Sequence, residues 1–231
     1  MSRVRRASAA AVVLAAALAP PGAARAEERV LALWLGPGVR VERGAGAFGD
    51  AGGWGLGPAF RVTAHRAGGA LGVRLDAGLV SLDGPQGEVA FTDTLGTYAG
   101  RVETATRASW ALLGPQWERR SGGITAFVNV LAGVGGSRTD AETLEGLAFE
   151  PDGRPASRRG FAWGAGAGLR RPFPRAPHVA LTCELAWREM TSARWVAAPP
   201  FENGPDGPRY RAVRGRLRTL GAHAAVEFTR P

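Results

Sequence analysis

The sequence predicts an all-β chain folded as an eight-stranded antiparallel up-and-down transmembrane β-barrel. Three observations carry that expectation. Apolar side chains recur with period two in eight segments of about ten residues. Gly numbers 34 and Pro 16, which disfavours helix. Yet 45% of residues are hydrophobic, too many for a disordered chain.

The eight segments follow in order. From Leu31, positions Leu31, Leu33, Leu35, Val39 and Val41 alternate with Trp34, Gly36, Gly38, Arg40 and Glu42. Trp54, Leu56, Phe60 and Val62 alternate with Gly55, Gly57, Arg61 and Thr63. Leu71, Val73, Leu75 and Leu79 alternate with Gly72, Arg74, Asp76 and Gly78. Ala111, Leu113 and Trp117 alternate with Gly114, Gln116 and Glu118. Ile124, Val128, Val130 and Val134 alternate with Thr125, Phe127, Asn129 and Gly133. Phe161, Trp163, Ala165 and Leu169 alternate with Gly164, Gly166, Gly168 and then Arg170. Val179, Leu181, Cys183, Leu185 and Trp187 alternate with Thr182, Glu184 and Arg188. Leu220, Ala222, Val226 and Phe228 alternate with Gly221, His223 and Glu227. Successive strand residues point to opposite faces, so each segment meets two different solvents.

About ten residues is the length of a tilted membrane strand. The connections Arg66–Gly69, Arg119–Gly123 and Arg171–Pro177 are short. Arg43–Gly53, Ser81–Thr106, Arg138–Arg159 and Met190–Arg216 read as longer loops. An even strand count with alternating short and long connections is the pattern of a membrane barrel, with short turns in the periplasm and long loops outside.

The non-apolar face is mostly Gly and Ala, an odd soluble surface but a sensible lumen. An eight-strand interior has room only for side chains. Lumen charges must pair, because an isolated buried charge is very costly. The expected network sets Arg40, Arg61, Arg74 and Arg188 against Asp76, Glu118, Glu184 and Glu227. On the apolar face, Trp54, Phe161, Trp163 and Trp187 fall near the long-loop ends, and Trp117 and Phe228 near the opposite ends. Two such belts match the two interfaces of a bilayer.

The chain opens with basic Met1–Arg6, an apolar run Ala9–Ala19, and Ala24-Arg25-Ala26 before Glu27. These parts stand in the order of a cleaved secretory signal peptide, giving residues 1–26 as signal and 27–231 as one barrel domain. The formal charge of +9 falls to +5 without Arg3, Arg5, Arg6 and Arg25, and every basic residue is arginine. Cys183 is the only cysteine, so no internal disulfide forms.

On these patterns the chain resembles the small outer-membrane β-barrel superfamily, the class that includes the membrane domain of outer membrane protein A. The resemblance spans residues 27–231 and is one of pattern, without a diagnostic motif. It departs at the C-terminus, where Phe228 is followed by Thr229, Arg230 and Pro231 instead of ending the chain.

No catalytic constellation stands out. Gly53–Gly57 and Gly164–Gly168 lack the following helix that a phosphate loop needs. His65, His178 and His223 have no ligand partner at metal spacing, and no cofactor or metal is expected. Ser109 lies near a long-loop end without a nearby histidine, unlike the Ser–His pair of the lipid-modifying barrel enzymes that resemble this class. Arg209, Arg211, Arg214, Arg216 and Arg218 cluster before the last strand and read as a contact for lipopolysaccharide phosphates or as solvated loop charge. Nucleic acid is a poor partner for them without an aromatic platform. The expected role is a non-enzymatic outer-membrane barrel of a Gram-negative envelope, structural, surface-contacting or envelope-stabilising, without a large open pore. The alternatives are a periplasmic lipocalin-like ligand binder and a lipid A-modifying enzyme.

Overall fold

The computed structural model describes residues 31–49, 53–66, 69–93, 96–144, 157–204 and 207–229. The signal-peptide reading of residues 1–26 falls outside them. Eight antiparallel strands run β1 (Leu31–Ala45), β2 (Trp54–Arg66), β3 (Leu71–Asp93), β4 (Gly96–Ser121), β5 (Ile124–Leu144), β6 (Ser157–Phe173), β7 (Ala176–Gly204) and β8 (Gly207–Thr229). Each pairs with its neighbour in sequence, and β1 closes the barrel on β8, Val39 opposite Ala224 and Arg43 opposite Leu220. Where all eight strands run side by side, closure leaves no sheet edge among the described residues; above that height the β3–β4 and β7–β8 hairpins extend past their outer neighbours.

The strands are longer than ten residues. Most of the segments Ser81–Thr106 and Met190–Arg216, read from sequence as loops, are paired ladder: Leu82 faces Thr106, Glu88 faces Arg101, and Trp195 faces Val213. The ladder also covers both ends of Arg138–Arg159. The physical reason lies in the side chains. Beyond the apolar band the alternation continues but changes sign. On β3, odd positions up to Leu79 are apolar and face out, while Arg74 and Asp76 face in. Past that height Val80 and Leu82 face in, and Ser81 and Asp83 face out. On β4 the same inversion puts Ala108, Trp110 and Leu112 inside and Arg107 and Ser109 outside.

The barrel therefore has two storeys. In the one nearer the short turns, the exterior is apolar and the interior charged. In the one nearer the long hairpins, the exterior is polar and the interior apolar, as in a soluble protein. Along β5 the apolar outer series runs from Ile124 to Val134. Ten steps of about 3.3 Å at the usual strand tilt give a band roughly 25 Å tall.

The apolar storey is capped by Phe48. A 3-10 turn, Gly46–Phe48, follows β1 and starts on Gly46 at φ +64°, a conformation open to glycine. Gly49 N–H donates to Gly46 O at 2.7 Å. Phe48 then packs edge-on to Trp195, centroids 5.5 Å apart. Beneath them Leu82, Leu112, Met190 and Leu217 are fully buried. A bulge lets Trp195 reach this core. Between Met190 and Ala193, β7 advances three residues while β8 retreats from Leu217 to Gly215, two. The extra residue exchanges the faces of β7, a known effect of bulges, so Met190, Ala193 and Trp195 all point inward.

Candidate functional site

The polar storey holds five arginines, Arg40, Arg61, Arg74, Arg170 and Arg188, and five carboxylates, Glu42, Asp76, Glu118, Glu184 and Glu227, all buried. They form one connected chain of ion pairs. Arg188 Nη1 donates to Glu42 Oε1 at 2.7 Å and Nη2 to Asp76 Oδ2 at 3.3 Å. Arg40 lies between the same carboxylates, 2.5 Å from Asp76 Oδ1 and 3.3 Å from Glu42 Oε1. Arg74 Nη2 joins Asp76 Oδ2 at 2.7 Å to Glu184 Oε2 at 2.6 Å. Arg61 pairs with Glu184 and, at 2.9 Å, with Glu227 Oε1. Arg170 closes the series, Nε to Glu227 Oε2 at 2.6 Å and Nη1 to Glu118 Oε1 at 2.8 Å.

Neutral groups occupy some of the remaining valences, while Arg40 Nη1, Arg74 Nε, Arg170 Nη2 and Glu42 Oε2 are buried without a hydrogen-bond partner among the described residues. Asn129 Nδ2 donates to Glu184 Oε1 at 2.9 Å, and Gln116 bridges Arg74 to Glu118 at 3.3 and 2.7 Å. His223 Nδ1 lies 2.6 Å from Arg61 Nη2, which donates to it. Phe127 stands among Arg61, Arg74 and Arg170, whose guanidinium carbons lie 5.5, 5.7 and 5.9 Å from its ring centre. Trp34 takes the other side of Arg170 at 5.0 Å. Cations over aromatic faces are attracted by the ring quadrupole.

The backbone makes room for these groups by omission. Strand β6 presents Gly164, Gly166 and Gly168 to the lumen, opposite Arg188, Ala186 and Glu184 of β7. A Cβ at Gly168 would stand 2.5 Å from Phe127 Cζ, and one at Gly78 would stand 2.9 Å from Arg40 Nη1. The glycine series is a socket for large neighbours on adjacent strands.

All eight charges expected from sequence, Arg40, Arg61, Arg74, Asp76, Glu118, Glu184, Arg188 and Glu227, lie in this network. Glu42 and Arg170 complete it. Both stand on the lumen series of their strands, two residues after Arg40 and Gly168, so the same alternation identifies them. The apolar cap was missed; its signal is the change of sign between Leu79 and Val80.

Below the network, a cavity of about 380 Å³ opens at the short-turn end, lined by Trp34, Arg120, Ile124, Thr125, Arg170 and Pro172 among others. His65 and His178 lie at that end, and His223 lies inside the barrel. Ser109 lies near the opposite end, where its Oγ donates to Gly136 O at 3.5 Å and has no imidazole beside it.

On the outer face, Trp54, Phe161 and Trp163 are exposed at the hairpin side of the apolar band, and Trp117 and Phe228 at the turn side. Trp187 is partly buried against Trp163, edge-on at 4.5 Å. Phe173 joins the turn-side group.

The arginine cluster differs from its sequence reading. Arg209, Arg211, Arg214, Arg216 and Arg218 belong to strand β8 and not to a loop; the side chain of Arg209 lies outside the described residues. Arg218 Nε donates to Glu189 Oε2 at 2.7 Å, directly across from it in the β7–β8 ladder. Arg216 Nη1 lies 3.5 Å from the other oxygen of the same carboxylate.

A closed eight-strand antiparallel barrel with an apolar outer band and a filled, charge-paired interior is built like the small outer-membrane β-barrels. No family model and no curated protein matches the sequence. Among solved structures the chain is similar to Neisserial surface protein A, with 8% identity, TM-score 0.45, and coverage of 85% of this chain and 96% of that one. It is similar to Ail, the attachment invasion locus protein of Yersinia pestis, at 12% identity, TM-score 0.44, and coverage of 86% and 99%. A major outer membrane protein from Thermus thermophilus is similar at 16% identity, TM-score 0.43, and coverage of 84% and 99%.

Proposed function

We propose that this chain is a non-enzymatic outer-membrane β-barrel of structural, surface-contact or envelope-integrity type, exported by its signal peptide in a Gram-negative bacterium, and that it carries no large open pore. The observation that carries this reading is the inversion of polarity along single strands. An apolar exterior over a charged interior suits lipid outside. The polar exterior above it, over a packed apolar interior, suits water outside. A strand that changes from one to the other marks the edge of a bilayer. The short turns then lie in the periplasm and the paired hairpins rise from the cell surface.

The ion-pair network and the apolar cap fill the lumen above the cavity at the short-turn end, which speaks against a lipocalin-like central ligand cavity. The separation of Ser109 from every histidine removes the geometric basis for a Ser–His lipid-modifying site. At the surface, the arginines of β8 at the hairpin side of the apolar band suit contact with lipopolysaccharide phosphates, which a guanidinium meets with two parallel hydrogen bonds.

The test is cell fractionation with a heat-modifiability gel. Recovery in the outer membrane, with faster migration before boiling than after, is the expected result; a soluble periplasmic protein would overturn the reading. With Cys183→Ser as background, Arg158→Cys should react with an impermeant thiol reagent on intact cells and Ser121→Cys should not. The reverse pattern would invert the topology.

A further inference from the structure

All three short turns carry exposed arginine: Arg66 at the end of β2, Arg119 and Arg120 at the end of β4, Arg171 at the end of β6, and Arg175 in the turn that follows. The carboxylates at this end, Glu118 and Glu227, face the lumen and are consumed by Arg170 and Arg61. Among the described residues, no exposed carboxylate stands beside the five arginines. The opposite end is mixed, with Asp83 and Glu88 exposed alongside Arg158 and Arg159.

The arginines also stand at a defined height. Arg119 is the next outward position after Trp117 on β4, and Arg171 lies between Leu169 and Phe173 on the outer face of β6. Aromatic rings of this kind sit at headgroup level, so the guanidinium groups reach the plane of the phosphates.

We propose that this arginine collar is a docking surface for the phosphates of anionic phospholipid in the inner leaflet of the membrane. The inference rests on the bilayer reading above. The collar supplies what a phosphate surface needs and a zwitterionic surface does not reward: several bidentate donors, with no exposed acid beside them among the described residues, spread over three turns. Each such cation near an anionic surface is worth roughly a fivefold gain in partitioning.

The folded barrel, reconstituted in vesicles, tests this through tryptophan quenching by brominated phosphatidylglycerol or brominated phosphatidylcholine. Trp117 reports on the collar; Trp54, Trp163 and Trp187 report on the other rim. The barrel should prefer phosphatidylglycerol roughly fivefold at low salt and lose most of that preference at high salt. A set with Arg66, Arg119, Arg120, Arg171 and Arg175 changed to Gln should not distinguish the lipids. The same set changed to Lys should keep most of the preference, and gel mobility before boiling confirms that each set is folded. Equal quenching of the wild-type protein by both lipids, or a preference unchanged in the Gln set, would overturn the collar while leaving the bilayer reading intact. Quenching by neither lipid would overturn both.

Discussion

Arg74 and Glu184, 110 positions apart in the chain, meet across the lumen at 2.6 Å. Glu184 also holds Arg61 and accepts from Asn129. Its loss leaves two guanidinium groups short of a counter-ion where water is scarce. Glu184→Ala should cost about 3–5 kcal/mol, the usual penalty for breaking one side of a buried pair. Asp83→Asn, on the exposed rim, should stay within about 0.5 kcal/mol. Urea unfolding of the refolded barrel, followed by gel mobility, measures both.

Val73 and Val130 face outward in the apolar band and are more than half exposed on the isolated chain. Val73→Arg or Val130→Arg should cost about 2–4 kcal/mol in a bilayer. In a water-bathed barrel the same changes should be near neutral. Equilibrium unfolding from vesicles distinguishes the two cases, and a negligible cost would sink the membrane assignment.

Two seals lie in series, the ion-pair network and the apolar cap. Planar-bilayer recordings should show no large, long-lived conductance. Trp195→Ala should lower stability by about 3–5 kcal/mol through the cavity it leaves yet keep the barrel closed, because the network below remains. A steady open state in that variant would mean that the cap alone blocks the lumen.

Glu189 is shared by Arg216 and Arg218 and neutralises part of their charge. If these arginines hold lipopolysaccharide, Glu189→Gln should increase the amount carried through purification. Changing Arg214, Arg216 and Arg218 together to Gln should decrease it. Folding in simple detergent should persist in both. Unchanged lipid content across the three proteins would assign the cluster to ordinary surface charge.

The alternation from Leu71 to Leu79 was legible because the two faces meet unlike surroundings, and period two survives in the sequence. The charges of the lumen were legible for the same reason, since Arg74 and Asp76 interrupt an otherwise small-residue face. Their pairing was not. Arg170 and Glu227 are joined by the register of strands far apart in sequence, and alternation carries no information about distance around a barrel. The hairpins were illegible where one rule was assumed to hold throughout. Val80 and Trp110 obey the opposite polarity from Leu79 and Ala111, and the bulge after Met190 breaks the period outright. Pro and Gly near Phe201 then read as loop where a ladder continues.

The bulge also divides the molecule as an evolving object. Below Met190, a gain or loss of one residue would turn a whole strand inside out and present Glu184 to lipid. At Thr191 and Ser192 the frame has already slipped once, and the slip ends there. A single deletion at that point would remove the bulge and restore plain alternation, keeping Ala193 and Trp195 in the core and every residue between Ala176 and Met190 in phase. The hairpin end of the barrel can thus absorb the loss of a residue at the bulge without disturbing the strand segments that the ion-pair network holds fixed.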